Sequence, residues 1–166
     1  MSELEERVRN LETRLAAVEA VQEIHNLKAR YAELVDARYT QQGPKPAEEV
    51  AHIADEIVGL FSEDAVWDGG ADLGCWQGRD EIRKRFLDPT LRFTLHYFVK
   101  PQIHVDGDRA TGRWDILAPV SFGNGKPGWM TGVEDDEYVR IDGRWLHSSM
   151  KLSVHFMVPY DRGWGG

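Results

Sequence analysis

Residues 102–122, QIHVDGDRATGRWDILAPVSF, decide the fold class. Asp106-Gly107 is a two-residue hairpin signal, because tight β-hairpin turns need the positive φ that Gly adopts freely and Asp tolerates. The runs on either side are rich in Val, Ile and aromatic residues, as half-buried strands are. The pattern returns at Asp142-Gly143, which joins EYVRI (137–141) to RWLHSSMKLSVHFMV (144–158). GNGKPG (123–128) is a third turn between them. The C-terminal half therefore reads as an antiparallel meander of about four long strands. The first should run from Leu91 to Val105, broken or bulged near Pro101, because proline cannot donate to a strand ladder.

Upstream of the meander the apolar period changes from two to that of a helix. Residues 3–38 read as one helix, possibly kinked. Residues 40–46, TQQGPKP, form a loop, and Pro46 suits the first turn of a second helix. Its stripe is Val50, Ile53, Ala54, Ile57, Val58 and Phe61. Ser62-Glu63-Asp64 should end it, with a short strand at 65–68 and a Gly-rich loop, GGADLG, at 69–74. Gly78-Arg79-Asp80 opens a third helix that carries Ile82 and Phe86 and stops at Asp88-Pro89. Helices followed by a curved antiparallel sheet make an α+β fold. Both faces of the first long strand are apolar: Leu91, Phe93, Leu95, Tyr97 and Val99 alternate with Thr94, His96 and Phe98. One face should line an inner cavity. The other should be covered by a second subunit, which predicts a homo-oligomer.

The N-terminus supports the same expectation. Leu4, Leu11 and Val18 are seven apart and interleave with Val8 and Leu15, as d and a positions of a short heptad pattern. Glu5 and Glu12 fall at e, Arg7 and Arg14 at g. After Val18 the stripe changes phase to Val21, Ile24, Leu27, Tyr31, Leu34 and Val35, and this half should face the interior. The whole of 1–166 reads as a single domain, with 1–20 as a helical extension available for a subunit contact.

The 166 residues suffice for one proper core, and a 42% hydrophobic content with six Trp indicates a globular chain. A net charge of −8 leaves no basic excess to displace counterions, which argues against nucleic acid and anionic membranes as partners. No apolar run reaches membrane-spanning length, and 1–15 carries no apolar signal core. Cys75 is the only cysteine, so no intrachain disulfide is possible; a cytoplasmic location is expected.

Three residues carry candidate chemistry. His96 stands alone in an apolar strand. Asp36 sits at a helix C-terminus, where the dipole disfavours an anion, so another partner is expected and His96 is the natural one. A carboxylate beside an imidazole fixes the tautomer and stabilises the imidazolium, so His96 reads either as a general base or as a core histidine bonded to a backbone carbonyl. Tyr31 lies five residues before Asp36, about 140° around an ideal helix, so both reach one cavity only if it wraps the helix edge. Trp67, Phe98, Trp114, Ile116, Met150, Leu152 and Phe156 are candidate cavity walls suited to a flat hydrophobic ligand. Asp115 should face away from them. His104, His147 and His155 show no metal-ligand spacing, and Cys75 has no partner base in sequence. Phosphate loops, dinucleotide fingerprints and GxSxG elbows are lacking, so no metal and no organic cofactor is expected.

The order of these elements resembles the SnoaL-like branch of the NTF2-like (cystatin-like fold) superfamily. The stretches that carry the resemblance are LEERVRNLE, LKARYAELVD, FSEDAVWDGG, LHYFVKPQIHVDGDRATGRW and EYVRIDGRWLH, spanning roughly residues 3–158. Bile-acid 7α-dehydratases look closest; scytalone dehydratase and hexachlorocyclohexane dehydrochlorinase share the pattern. The resemblance implies a cone in which N-terminal helices pack on a curved sheet around a pocket. It places Tyr31, Asp36 and His96 in the active site, and it suggests a trimer, with a dimer as alternative. Two positions depart. Ala118 stands where the bile-acid enzymes carry an acid on the strand after TGRW, and Val154 where they carry an arginine. Both then join the expected substrate pocket.

The expected function is a cofactor-independent, dehydratase-type lyase acting on a bulky hydrophobic carbonyl compound such as a steroid or polyketide. An isomerase or cyclase would share its first step. The alternative is a non-catalytic small-molecule-binding or assembly domain, which Ala118 and Val154 favour and the Tyr31, Asp36, His96 set opposes.

Overall fold

The computed structural model describes residues 2–161, so the expected domain runs past the described residues at both ends. Helix α1 spans Glu3–Asp36. It starts on a capping box: Glu5 N–H donates to Ser2 Oγ (3.3 Å) and Ser2 N–H to Glu5 Oε2 (2.6 Å). Residues 2–19 are exposed, the heptad leucines included. From Ala20 the helix docks through Ala20, Ile24, Lys28, Tyr31 and Val35, a four-and-three spacing. Lys28 thus occupies the buried stripe at the place where the sequence suggested Leu27.

The expected loop after α1 contains a two-rung hairpin, β1 (Tyr39–Thr40) and β2 (Gly43–Pro44). Helix α2 (Ala47–Val58) follows Pro46 and ends at Gly59. Phe61, read as part of its stripe, instead opens strand β3 (Phe61–Asp68). The reason is long-range pairing: Phe61 registers with His147, and His147 N–H donates to Leu60 O at 2.9 Å. GGADLG holds one helical turn, α3 (Gly70–Leu73), before strand β4 (Cys75–Gln77) and helix α4 (Arg79–Leu87).

The rest is β5 (Phe93–Thr94), β6 (Tyr97–Asp106), β7 (Arg109–Ser121), β8 (Pro127–Ile141) and β9 (Arg144–Pro159). The strand expected over 91–105 is interrupted at Leu95-His96, and its register slips again between Val99 and Gln102, around Pro101. The first hairpin turns on Gly107-Asp108, one residue later than expected, with Gly107 at φ 59°. The second turns on Asp142-Gly143, both at positive φ as a type I′ turn requires. The main sheet runs β4-β3-β9-β8-β7-β5, with β6 also paired to β7. Its β3–β9 pairing is parallel, a feature the meander reading lacked.

Helix α1 packs on β6, β9 and α2, while α4 packs on α2, β3 and β4. One core cluster joins α1, α2 and α4 to β3 through Tyr31, Ile57, Phe61, Trp67 and Phe86. A second forms around Trp114, Tyr138 and Trp145. The third, Ile116, Ala118, Val120, Met130 and Leu152, lies on the sheet. The space between the first and the third holds the site.

Candidate active site

The break in the sheet at Leu95-His96 frees the His96 main chain from ladder pairing, and Asp36 takes its place. His96 N–H donates to Asp36 Oδ2 at 2.9 Å, and His96 Nδ1 lies 2.6 Å from Asp36 Oδ1. With Asp36 ionised, Nδ1 carries the proton and Nε2 is left as the basic nitrogen. Both side chains are mostly buried, at 16% and 17% exposure. The imidazole lies nearly parallel to Phe98, 14° between planes and 6.2 Å between centroids.

His96 lines a partly open cavity of about 160 Å³. Tyr31, Trp67, Ile116, Val120 and Leu152 make up much of its apolar wall. Thr90, Leu91, Val154 and Met157 line its more exposed part, with Val154 and Met157 each 40% exposed. Tyr31 is buried against Phe61, Phe86 and Phe98. Its hydroxyl oxygen accepts the Trp67 indole N–H at 3.1 Å, so its own proton is free to donate. Burial, reinforced by the negative charge of Glu134, pushes the phenol pKa far upward and keeps that proton in place.

The other expected pocket residues sit elsewhere. Phe98 and Trp114 pack around the Lys28 ammonium, 4.1 and 5.8 Å from their ring centroids. With His96 they line a separate outer groove of about 330 Å³. Ala118 is fully buried in the sheet cluster, paired with Met130, which reaches the cavity in its stead. Met150 is fully buried in the core beneath Trp67, its partner on β3. Phe156, on β9 opposite Thr131, is also absent from the cavity wall. Asp115 points outward and pairs with Lys100 at 2.5 Å. His104 and His155 are exposed, as is Cys75, and no cluster of metal-ligand type occurs among the described residues.

Two features escaped the sequence reading. The first is a buried ion cluster. Lys28 Nζ contacts Glu134 Oε2 and lies 2.7 Å from Asp136 Oδ2, and Tyr138 O–H donates to the same Asp136 oxygen at 2.7 Å. Burial opposes the Lys28 charge, but Asp136 and Glu134 outweigh it and hold the ammonium above its usual pKa. Burial pushes Glu134 upward despite Lys28, and Glu134 lines the cavity. An acid thus reaches the cavity from β8, where Ala118 on β7 supplies none. The signal was available: Glu134, Asp136 and Tyr138 share one strand face, and Lys28 keeps the period of Ile24 and Tyr31. Gly112 leaves room for this cluster, since a Cβ there would stand 2.9 Å from the Tyr138 ring. The second feature is a pair of arginines, Arg38 and Arg85, in the cavity wall. Larger concavities exist on the outer surface, such as the 590 Å³ one beside Arg113 and Asp135, but charged strand residues line it and none of the three candidate residues.

A family model for the SnoaL-like domain matches residues 51–151. The chain belongs to the SnoaL-like family. The matched span includes His96, whereas Tyr31 and Asp36 precede it. Solved structures similar to this SnoaL-like protein share its fold. One is an NTF2-like protein with a cystatin-like fold from Novosphingobium aromaticivorans, with 22% identity, 89% of each chain covered and a TM-score of 0.71. Another, from the same organism, is provisionally named a scytalone dehydratase: 20% identity, 86% of this chain and 89% of that one, TM-score 0.70. A third is the hexachlorocyclohexane dehydrochlorinase LinA type 3 from Novosphingobium barchaimii: 20% identity, 88% and 91% covered, TM-score 0.69. No curated protein sequence matches. No helix among the described residues is long and apolar enough to cross a membrane.

Proposed function

We propose that this SnoaL-like protein is a dehydratase-type lyase that needs only acid–base groups. The observation that carries the reading is the 2.6 Å His96 Nδ1–Asp36 Oδ1 contact at the wall of an apolar cavity that also holds the Tyr31 hydroxyl. His96 Nε2 takes a proton from the carbon beside a carbonyl. Asp36 stabilises the imidazolium, and the Tyr31 O–H donates to the developing enolate oxygen. The electron pair then forms the new C=C bond as the β-hydroxyl departs, and the proton on His96 completes the water that leaves. An isomerase would return the same proton to another carbon.

The cavity narrows the substrate. An apolar cavity of about 150 Å³ holds a benzene, whereas drug-sized ligands fill roughly 300–1,000 Å³. The 160 Å³ cavity therefore takes about one ring bearing the reacting carbonyl. The rest of a steroid or polyketide would extend past Val154 and Met157.

The test is deuterium exchange into the α-position of small aryl ketones, followed by NMR in D₂O. The protein should accelerate exchange, and His96→Ala should remove on the order of 10²–10⁴-fold of that rate. Full exchange by His96→Ala, or exchange lost to chelators and restored by a metal, would overturn the reading.

A further inference from the structure

We propose that Arg38 and Arg85 form a carboxylate seat in the cavity wall, so that the molecule bound here is a hydrophobic carboxylic acid in its anionic form. The inference names the substrate class of the site just described and rests on that reading only for the word substrate. The binding itself does not involve His96.

Arg38 is 3% exposed and lines the cavity. Its Nε donates to Val35 O and its Nη1 to Phe86 O, both at 3.1 Å. These are neutral carbonyls. Its flat faces meet Phe86 and Tyr39, with Cζ 5.0 and 5.4 Å from the ring centroids. Among the described residues no carboxylate lies within salt-bridge distance of Arg38, and no hydrogen bond uses Nη2. The nearest anion in sequence, Asp36, is already engaged by His96 through both oxygens. A buried charge normally has an ionic partner, because desolvation penalises it otherwise.

Arg85, half-buried, stands on the same wall. It projects from α4, its Cζ lies 5.2 Å from the Trp67 ring, and its Nη1 approaches only Asp88 O, at 3.4 Å. It too has no carboxylate partner among the described residues. Burial is the main cause that lowers the Arg38 pKa; the Arg85 charge adds to it, while Tyr39, Tyr31 and Asp36 offset part of it. Two like charges turned toward one small apolar space are relieved by an anion placed between them. Guanidinium forks match the planar pair of carboxylate oxygens. Phosphate fits less well, because it would bring a second negative charge into a cavity that Glu134 also lines. Thr94 Oγ1, buried on that wall without a hydrogen-bond partner among the described residues, adds one more polar contact for the bound molecule. The seat also compensates for Val154, which brings no cation from β9.

The test uses the full chain and three probes of one-ring size: phenylacetate, phenylacetamide and phenyl phosphate. Binding is read by calorimetry and by the change in tryptophan fluorescence, to which Trp67 in the cavity wall contributes. Phenylacetate should bind at least tenfold more tightly than phenylacetamide, and Arg85→Gln should bring the two within about twofold. Arg38→Gln should do the same, but Arg38 also ties α1 to α4. Arg85→Gln and the charge-preserving Arg38→Lys therefore keep the test decisive if Arg38→Gln does not fold. Equal binding of acid and amide, a preference that survives Arg85→Gln, or no binding of either at millimolar concentration overturns the seat. Tighter binding of phenyl phosphate overturns the carboxylate assignment. His96→Gln should keep the acid preference while losing proton exchange, so the seat and the base stand or fall separately.

Discussion

Asp36 grips His96 at two points, ring and main chain, across a gap in the sheet. The second bond does what a strand partner would otherwise do, and it sets the position of the imidazole as well as its tautomer. Asp36→Asn keeps the shape but offers one oxygen and one NH₂ group, so one of the two contacts becomes donor against donor. The expected result is a folded protein whose α-proton exchange falls by about 10²-fold or more. Circular dichroism with exchange kinetics checks it; unchanged exchange would separate Asp36 from the chemistry.

Tyr31→Phe should fold, because its ring packs among Phe61, Phe86 and Phe98. It leaves the Trp67 indole N–H buried without an acceptor, which costs about 1–3 kcal/mol. Exchange should fall with this variant, while Trp67→Phe, which removes only the donor, should retain most of it. Urea unfolding and exchange rates on both variants distinguish the packing role of Tyr31 from its proton.

Lys28→Met strands Glu134 and Asp136 in a site that is almost fully buried. Breaking a buried pair in this way costs about 3–5 kcal/mol. Adding Glu134→Gln should recover part of the loss, since it removes one of the stranded charges. Denaturant midpoints of the single and double variants measure the coupling.

His147 gives stability a pH dependence. The ring is fully buried, makes no hydrogen bond among the described residues, and has its pKa held well below the usual value, first by burial and then by Lys28. The unfolded chain takes up a proton near pH 6.5 that the folded chain refuses, so stability is complete above 6.5 and falls as the pH drops. The slope from this residue approaches about 1.4 kcal/mol per pH unit. His147→Gln should flatten the difference between pH 7 and pH 5, as read from urea midpoints.

The exposed heptad leucines of α1 predict self-association. Sedimentation at micromolar concentration should show a trimer or dimer, and removal of residues 2–18 should lower that state while the core still folds. A single species near the chain mass of 18.9 kDa for the intact protein would refute it.

The long strands were legible because each depends on local alternation and a Gly-containing turn. The parallel β3–β9 pairing was not, because its partners lie some eighty residues apart and no local pattern encodes their meeting. Phe61 shows the consequence: its helical spacing was genuine, yet pairing with His147 took it. Tyr31, Asp36 and His96 stood out by residue type and by family resemblance. Lys28, Glu134, Arg38 and Arg85 did not, because charged residues in a single sequence look like surface until the fold buries them.

His96 lines both the inner cavity and the outer groove, so it is a partition between two compartments. With Nδ1 held by Asp36, a proton taken up on Nε2 stays on the cavity side while the cavity is occupied. Isotope from the abstracted position should then be carried back into returning substrate rather than lost to water, and opening the groove wall of Lys28, Ala32 and Trp114 is the change that would let it escape.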